Sequence, residues 1–497
     1  MMQNQARIII GTAAVLFLLI TILQLALQPF RTVSFLKDAD STWLRTPQWM
    51  YRQADQDKSS DIPLGNATDQ HLNLTNTVMK FSSPPASPTS TITAPTSSPT
   101  SVSPPEQENI QDVFNSTLGF QEVIMLSLPF RGDRQDTFAV QAQLSNITWT
   151  QLWGVEGKGV PEKALPYGMT YGTVGKNGVG SWRAHLNALR YIVMNKLESA
   201  IIFEDDADWD VSLRYQLVQY AKASRYILRQ NGKASSPYGD GWDVLTIGHC
   251  DAEAWKEDMR RWVIPNDPTV IAPHIRGGAW IPDMKPWQAW NSTHPEKSNN
   301  TRICFASEWN ACTTAYAVSL AGAMKILYHQ SMTPFNDKFD NGLGNMLRNH
   351  AEKSNFTGVT CYPTYIGVSH GAGTGAKTSD IDTHGGLHEK PYSERLQFPV
   401  RKNIERLFRG DTIFEGEYSM EKMADEAEGK KPTPFMMTFT DIVQPEGRPE
   451  VLVKVENGDG LEYLESIPEE DYLRREASLV KEEPELHGSL ANTAPSR

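Results

Sequence analysis

Short apolar runs that alternate with amphipathic stretches limit the possible folds of this chain more than any other feature. The runs have the length and composition of buried strands, and they lie at residues 123–128, 149–155, 200–203, 242–248 and 312–319. Helical patterns fall between or after them, at residues 135–144, 182–197 and 320–329. Strands that alternate with helices in this way predict an α/β fold with parallel strands in its sheet.

The helix predicted at residues 182–197 shows the pattern well. Leu186, Leu189, Val193 and Leu197 are spaced by three, four and four residues, which places them on one apolar face. Ser181, at the end of a glycine-rich stretch, is the predicted N-cap.

Four carboxylates follow the run at 200–203 directly: Glu204, Asp205, Asp206 and Asp208. Two carboxylates about 4 Å apart repel by roughly 4 kcal/mol at an effective dielectric constant near 20. Such a cluster therefore stays hydrated, takes up protons or binds a cation. Because ligands of α/β sheets bind beyond the carboxyl ends of strands, the position favours a cation. Carboxylate oxygens suit Mg²⁺ or Mn²⁺. Asp206 is the best ligand candidate, because it belongs to both pairs of acidic residues that are separated by one position, Glu204 with Asp206 and Asp206 with Asp208.

The N-terminal part predicts a membrane anchor. Residues 8–30 contain no charge and are long enough for a helix to cross a hydrocarbon core of about 30 Å, whereas the apolar part of a cleaved signal peptide is usually shorter. Residues 1–7 would form a short cytosolic tail. Residues 31–118 would form a stem, because 20 of the 24 positions in 82–105 are Ser, Thr or Pro and such a segment forms no core.

Asparagine sequons favour a lumenal location for the rest of the chain. Seven Asn-x-Ser/Thr sequences follow the anchor, at Asn66, Asn73, Asn115, Asn146, Asn291, Asn299 and Asn355. The four cysteines, Cys250, Cys304, Cys312 and Cys361, also follow it, and three disulfide pairings are open to them. We therefore expect a single-pass type II protein of the Golgi or endoplasmic reticulum membrane.

Charge excludes one class of partner and marks the C-terminal end. The net charge of -12 and the lack of Lys/Arg clusters argue against a nucleic-acid-binding protein. Between Glu456 and Glu485 there are 11 acidic and three basic residues. We expect a globular domain over residues 119–402 and a charged, weakly ordered region over 403–497, with a short strand at "VLVKV" (451–455).

Several stretches together resemble glycosyltransferase family 25. They follow the order of that family from about Val123 to Asp382, roughly half of the chain, and they are "LSLPFRGDR", "GVGSWRAH", "AIIFEDDAD", "WDVLTIG", "TTAYAVSLAGAMKIL" and "SDID". The resemblance implies a GT-A-like fold with a mixed, largely parallel sheet. It also implies an inverting transfer of a hexose, often galactose, from a UDP-sugar to a glycan or glycoprotein acceptor, with Mn²⁺ or Mg²⁺ at the acidic motif.

The resemblance also implies roles for single residues. Arg131, Arg134, Glu204 and Asp205 would contact the donor, and Arg is a forked partner for phosphate. The implied metal ligands are Asp206, Asp208 and His370. His185 matches a family histidine on the helix after the glycine-rich stretch, although a structural role is the alternative.

The catalytic base is less well defined by the resemblance. Asn336 stands where the family carries an aspartate, so the base would be Asp337, one residue later, in preference to Asp340, and a helix-capping role is the alternative for either. This departure keeps a second function open, that of a noncatalytic lumenal protein that binds nucleotide sugars as the partner of another glycosyltransferase. A metal-dependent phosphohydrolase is a third possibility, but no motif supports it.

Overall fold

The computed structural model describes residues 109–230, 232–271, 300–348, 355–374, 379–381, 388–418, 434–456 and 462–482. The predicted anchor at residues 8–30 and the Ser/Thr/Pro-rich segment at 82–105 lie outside the described residues. None of the helices within the described ranges is both long and apolar enough to cross a membrane. The folded part begins before residue 119, because the 3-10 helix Ile110–Phe114 already buries Val113 completely.

The strands are, in chain order, β1 (Glu122–Ser127), β2 (Thr150–Trp153), β3 (Ser199–Glu204), β4 (Ala207–Trp209), β5 (Val244–Gly248), β6 (Asp251–Ala254), β7 (Arg260–Ile264), β8 (Arg302–Ala311), β9 (Ala315–Ser319), β10 (Gly358–Tyr362), β11 (Ile366–His370), β12 (Tyr392–Glu394), β13 (Ile413–Glu415), β14 (Met436–Thr438), β15 (Arg448–Glu456) and β16 (Glu462–Pro468). The α-helices are α1 (Gly132–Leu144), α2 (Tyr171–Asn195), α3 (Leu213–Ile227), α4 (Leu320–Leu327), α5 (Phe339–Arg348), α6 (Ile404–Arg409), α7 (Phe439–Ile442) and α8 (Glu469–Glu482). Each strand and helix predicted between residues 123 and 329, and the strand predicted at 451–455, overlaps one of these elements.

The main sheet has the order β16-β15-β7-β8-β10-β5-β9-β3-β1-β2, and β6 also pairs with β8. Parallel pairing joins β1 to β2, β1 to β3 and β5 to β10. The other pairings of this sheet are antiparallel. For example, β9 lies between β3 and β5 and runs in the opposite direction to both. The sheet is therefore mixed, as predicted, but its antiparallel share is larger than the sequence led us to expect.

Helices cover both faces of the sheet, and strand alternation explains why. Val123 and Met125 of β1 pack in one core cluster with Phe138 of α1 and Leu217 of α3. Ile124 and Leu126, one residue out of phase, pack in the second cluster with residues of α2, α4 and α5. Strands buried on both faces read as continuous apolar runs, as β1 and β3 do in the sequence.

Helix α2 begins earlier than the sequence predicted, and the assignment of Ser181 as its N-cap is wrong. Thr170 is the N-cap and forms a capping box with Thr173. The glycine-rich stretch is tolerated because Gly175, at φ 76°, interrupts the helical geometry and produces a kink. The glycines also allow close packing. A Cβ atom on Gly180 would lie 2.3 Å from the Val155 carbonyl oxygen.

The region after residue 403 contains more structure than the sequence predicted. Strand β15 covers the predicted short strand at residues 451–455, and it pairs with both β7 and β16. Glu450, at its start, is buried and accepts a hydrogen bond from the Ser466 hydroxyl. The prediction of a weakly ordered region is therefore wrong for the described part of this region, because low hydrophobicity hid a hairpin that extends an existing sheet edge.

Two disulfides connect the cysteines, as Cys250–Cys312 and Cys304–Cys361. Cys304 and Cys361 face each other across the antiparallel pair β8 and β10. Cys250 and Cys312 lie at the edge of the sheet where β5 ends and β9 is about to begin. The structure thus selects one of the three pairings that the sequence left open.

Buried Asp210 is expected to make stability depend on pH. It accepts hydrogen bonds from the Phe398 amide and from Gln216 Nε2, and burial raises its pKa to about 7. Because the folded state keeps the proton to higher pH than an ordinary aspartate, the stabilisation is complete below about pH 4 and is lost as the pH rises through 7.

Asp210→Asn should remove this dependence. The parent chain is expected to lose up to about 1.4 kcal/mol of unfolding free energy per pH unit across that window from this one group. Urea denaturation at pH 5 and pH 8 measures the effect for both proteins. Equal pH dependence in parent and variant would show that Asp210 is ionised in the folded state.

Candidate functional site

A pocket of about 400 Å³ lies at the carboxyl ends of β1 and β3. Strand β1 leads into its wall with Ser127 and Leu128, and β3 leads into it with Glu204 and Asp205. The kinked helix α2 forms the opposite wall. Gly157 brings this helix close to the loop after β2, because a Cβ atom on Gly157 would lie 1.7 Å from the Lys176 carbonyl oxygen.

Arg134, in the first turn of α1, connects the acidic residues of the pocket. Its Nη1 atom lies 2.7 Å from Asp205 Oδ1 and 3.1 Å from Asp206 Oδ2. The other oxygen of Asp205 accepts a hydrogen bond from the Ser127 hydroxyl at 2.7 Å. Both oxygens of Asp205 are thus engaged, and Asp205 fixes the guanidinium of Arg134 at the pocket.

Asp206 has one oxygen that is not engaged in this way. Its Oδ1 atom is buried and has no hydrogen-bond partner among the described residues. Burial raises the pKa of Asp206 to about 6; positively charged Arg134 opposes the shift, and the neighbouring carboxylates Glu204 and Asp205 add to it. A buried carboxylate oxygen without a partner is costly, which makes this atom a candidate ligand for a cation or a proton.

Glu204 contacts the predicted histidine. Its Oε1 atom lies 3.2 Å from His185 Nε2 and accepts a hydrogen bond from the Thr313 hydroxyl at 2.8 Å. Burial alone would raise the pKa of Glu204, but the hydrogen bonds from His185 and Thr313 lower it below its usual value. The side chain is 32% exposed, so this carboxylate reaches the pocket surface.

His185 is held on both sides of its ring. Its Nδ1 atom lies 3.1 Å from the Tyr316 hydroxyl, and the ring stacks on Phe339 with centroids 4.5 Å apart. The residue lines the pocket although it is only 2% exposed. The geometry fixes the orientation of Glu204, and a direct chemical role of His185 stays a prediction.

Arg131 lies at the rim, beside the pocket residue Asp380. It forms a forked pair with Asp133, with Nε 3.0 Å from Oδ1 and Nη2 2.9 Å from Oδ2, and it also pairs with Asp380. The Asp380 carbonyl oxygen accepts a hydrogen bond from Asn177 Nδ2 at 2.6 Å. Arg131 thereby connects α1 to the segment that contains Asp380.

Asp208 occupies a different environment from Asp206. It is fully buried, and its oxygens accept hydrogen bonds from Gln141 Nε2 at 2.7 Å, the Trp209 amide at 2.8 Å and the Ser393 hydroxyl at 2.6 Å. Burial raises its pKa to about 6 against these hydrogen bonds. The reason is local: β4 pairs with β11 in a small second sheet, which turns Asp208 into the core and away from the pocket lining.

His370, at the end of β11, lies near Asp206. The Ser369 amide donates to the Asp206 carbonyl oxygen at 2.8 Å. His370 Nε2 lies 3.1 Å from Glu394 Oε2, whereas its Nδ1 atom is buried without a partner among the described residues. The structure therefore places two buried polar atoms that have no partner in the described part of the chain, on Asp206 and His370, in the same region of the fold.

The two predicted bases lie outside the described pocket lining. Asp337 accepts a hydrogen bond from the Lys338 amide at 2.7 Å in the loop before α5. Asp340 lies in the first turn of α5 and accepts from the Cys312 amide at 3.3 Å. Cys312 directly precedes Thr313, whose hydroxyl contacts the pocket residue Glu204. Of the two aspartates, Asp340 is therefore the one that is connected to the pocket through a short series of contacts.

The donor set fits a divalent cation only partly. Asp206 Oδ1 has no partner among the described residues, but Arg134 already pairs with the other Asp206 oxygen and with Asp205. In the part of the chain that the structure describes, no three His, Cys, Asp or Glu side chains are grouped to hold a metal ion. Mg²⁺ is commonly held by one or two carboxylates together with substrate phosphates and water, and the site fits that arrangement.

Several residues that build the site were not predicted from the sequence. Ser127 and Thr313 position the acidic side chains, and Lys158 and Lys176 add positive charge to the pocket lining. Ser127 and Thr313 could have been found as polar residues adjoining strands whose ends meet at one sheet edge. The two lysines carry no comparable signal, because they lie in loops and helix starts of ordinary composition.

Fold and site together define a class: a mixed α/β protein with a strand-end pocket in which carboxylates and basic groups are interleaved. A comparison with characterised proteins adds to this. Over 290 residues the chain is 22% identical to a Bos taurus protein named "Probable inactive glycosyltransferase 25 family member 3". The matched stretch covers 54% of this chain and 40% of that relative. No protein-family model matches the chain.

The chain is therefore similar, over about half of its length, to a member of glycosyltransferase family 25. The match spans about two fifths of the relative's length. The relative's own name describes an inactive protein, so the similarity leaves both a catalytic and a noncatalytic function open.

Proposed function

We propose that this chain transfers a hexosyl group, galactose being the leading candidate, from a nucleotide sugar to a glycan or glycoprotein, with inversion at the anomeric carbon. The observation that carries the proposal is the pocket at the ends of β1 and β3. There Arg134 is fixed by two aspartates, and one oxygen of Asp206 has no partner within the described ranges of the chain. A strand-end pocket with convergent charged groups is the usual ligand site of such folds.

The basic groups would bind the diphosphate of the donor. Arg134, Lys158 and Lys176 line the pocket, and Arg131 lies at its rim beside Asp380. Guanidinium groups match phosphate oxygens in forked geometry, and fixed positive groups stabilise the charge that develops on a leaving diphosphate. Arg134 is positioned for this work before the donor arrives because Asp205 and Asp206 hold it.

The proposal includes dependence on Mn²⁺ or Mg²⁺. Asp206 would provide the protein oxygen, and the Nδ1 atom of His370 is the second candidate ligand. When bound, the cation supplies further charge neutralisation at the diphosphate. Asp208 is not part of this proposed ligand set, because the core engages both of its oxygens.

Acceptor activation requires a carboxylate that takes a proton from the attacking hydroxyl group. In place of Asp337, which the sequence favoured, we assign this work to Asp340. Asp340 is connected through Cys312 and Thr313 to Glu204, whereas Asp337 contacts the amide next to it in the chain. Glu204 is a weaker candidate, since the hydrogen bonds from His185 and Thr313 lower its pKa.

A panel of nucleotide sugars offered to the full chain, with and without Mn²⁺, tests the proposal. We expect release of nucleoside diphosphate from a UDP-hexose, stimulated by Mn²⁺ and by an acceptor glycan. Arg134→Lys is the informative variant, because it keeps one positive charge but loses the forked geometry. If the parent chain turns over the donor and the Arg134→Lys variant does so at the same rate, the assignment of the pocket is contradicted.

A second candidate is a noncatalytic lumenal partner of another glycosyltransferase. Asn336, at the position where the family has an aspartate, and the name of the bovine relative favour it. The same panel separates the two functions. Donor binding measured by calorimetry, without diphosphate release for any acceptor, would support the partner function.

We propose a lumenal location, in the Golgi or the endoplasmic reticulum, with residues 8–30 as the type II anchor. Two disulfides and three exposed sequon asparagines, Asn115, Asn146 and Asn355, support this location. Protease protection of the globular domain in intact microsomes tests it.

A further inference from the structure

The pocket at the carboxyl ends of β1 and β3 is called the donor pocket below. A second cavity lies far from it along the strands of the main sheet. It is a groove of about 860 Å³ where the end of α3 meets the start of β10 and helix α8. Strand β10 is parallel to β5, and β5 has the same direction as β3, because β9 is antiparallel to both. The donor pocket lies where β3 ends, so the start of β10 lies at the opposite edge of the sheet. The two cavities share no lining residue. The volume falls within the roughly 300–1,000 Å³ range of small-molecule sites.

The charged groups that line this groove balance in number, because Arg225, Arg229 and Arg260 are matched by Glu257, Asp258 and Glu469. Arg260 forms a forked pair with Asp258, at 2.9 Å from Nε to Oδ1 and 2.5 Å from Nη2 to Oδ2. The Tyr226 hydroxyl donates to Glu469 Oε1 at 3.1 Å, and Arg225 Nε donates to the Pro237 carbonyl oxygen at 2.8 Å. Because the lining carries no excess of either charge, the groove suits a neutral ligand.

Aromatic side chains indicate what kind of neutral ligand fits. Tyr226, Trp255 and Tyr472 line the groove, and such rings present flat apolar faces beside polar tips. Exposed Arg229 and Glu257 add hydrogen-bonding groups of opposite charge at the rim. A sugar has the matching character, because its ring carbons form an apolar face and its hydroxyl groups donate and accept hydrogen bonds.

A sequon lies at the edge of this groove. Phe356 and Thr357, the second and third residues of the sequence Asn355-Phe356-Thr357, line the groove, and Asn355 itself is exposed. The backbone here is anchored: Lys325 Nζ donates to the Asn355 carbonyl oxygen at 2.6 Å, and the Thr357 amide donates to Asp243 Oδ2 at 2.8 Å. A group attached to Asn355 would therefore start from a fixed point beside the groove.

We propose that Asn355 carries an N-linked glycan whose first sugars occupy this groove. In the attachment step, Asn355 Nδ2 loses a proton and bonds to the anomeric carbon of a lipid-pyrophosphate-linked oligosaccharide, and the lipid pyrophosphate leaves. Covalent attachment makes docking intramolecular, so weak stacking on Trp255 and Tyr472 is sufficient to hold the sugars. The inference rests on the lumenal location proposed above, but not on transfer activity.

Native deglycosylation of the full chain, produced in cells with a secretory pathway, tests the inference. Asn146 is the matched control, because it is an exposed sequon asparagine that lines neither cavity. Treated with peptide N-glycosidase and followed by mass spectrometry, Asn355 should lose its glycan at least about tenfold more slowly than Asn146, a difference equivalent to about 1.4 kcal/mol. After denaturation the two rates should be equal.

Groove variants complete the test. Trp255→Ala should raise the release rate at Asn355 to that at Asn146 and leave the rate at Asn146 unchanged. If that variant does not fold, Tyr472→Ala on the surface of α8 provides the same comparison. Equal native rates at the two sites in the parent chain, or an Asn355 without a glycan beside a glycosylated Asn146, would overturn the groove proposal alone. Absence of glycan at every sequon would overturn it together with the lumenal location.

Discussion

Asp206→Ala is expected to reduce transfer from a nucleotide sugar by at least about a hundredfold, the usual loss when one preorganised electrostatic group leaves an active site. The physical reason is the buried Oδ1 atom, the one carboxylate oxygen of the Asp205–Asp206 pair without a partner among the described residues. Arg134 keeps its contact with Asp205 at 2.7 Å, so the variant should fold. Turnover of a UDP-hexose at saturating Mn²⁺, together with the melting temperature, measures both expectations.

Asp208→Asn is the matched control for this variant. The amide has nearly the same shape as the carboxylate, and its oxygen still accepts from Gln141 and from the Trp209 amide. Because burial raises the pKa of Asp208 to about 6, replacing the charge at neutral pH removes a cost of burial. We expect this variant to keep its activity. An inactive Asp208→Asn beside an active Asp206→Ala would reverse our assignment of the two residues.

These two aspartates also show how far sequence reasoning reaches. The apolar run of β3 correctly predicted that carboxylates would gather at a strand end, since burial and strand direction are both visible in residue pattern. It did not separate Asp206 from Asp208, because the separation depends on β4 pairing with β11, more than 150 residues further along the chain. Pairing between strands so distant in sequence leaves no local pattern in the residues from which it could be predicted.

The same limit explains the other differences. Helix α2 begins at Tyr171, after the Thr170 cap, and its glycine-rich part is helical where Gly157 and Gly180 allow close packing against the loop after β2, a contact that local helix propensity does not record. The C-terminal hairpin forms because β7 offers an unpaired sheet edge to β15. In both cases tertiary contacts overrode a composition that, taken alone, favoured a loop.

The Cys250–Cys312 disulfide connects stability to the site. It closes a loop over a sequence separation of 62 residues at the end of β5, and the residue after Cys312 is Thr313, whose hydroxyl donates to Glu204 at 2.8 Å. The Cys312 amide also donates to Asp340. The Cys304–Cys361 disulfide closes a loop of similar separation, 57 residues, within the β8–β10 pair, but the residues adjoining its cysteines make no described contact with Glu204.

Removing either disulfide by paired Cys→Ala substitution should lower the unfolding free energy by about 4 kcal/mol in the chain-entropy model. At roughly 2–4 °C per kcal/mol, the melting temperature should fall by about 10 °C in both variants. Activity should separate them. Only the variant without Cys250–Cys312 is expected to lose turnover at temperatures where it is still folded, because Thr313 no longer fixes Glu204. Equal activity of the two variants below their melting temperatures would show that the turn at Thr313 holds its position without the disulfide.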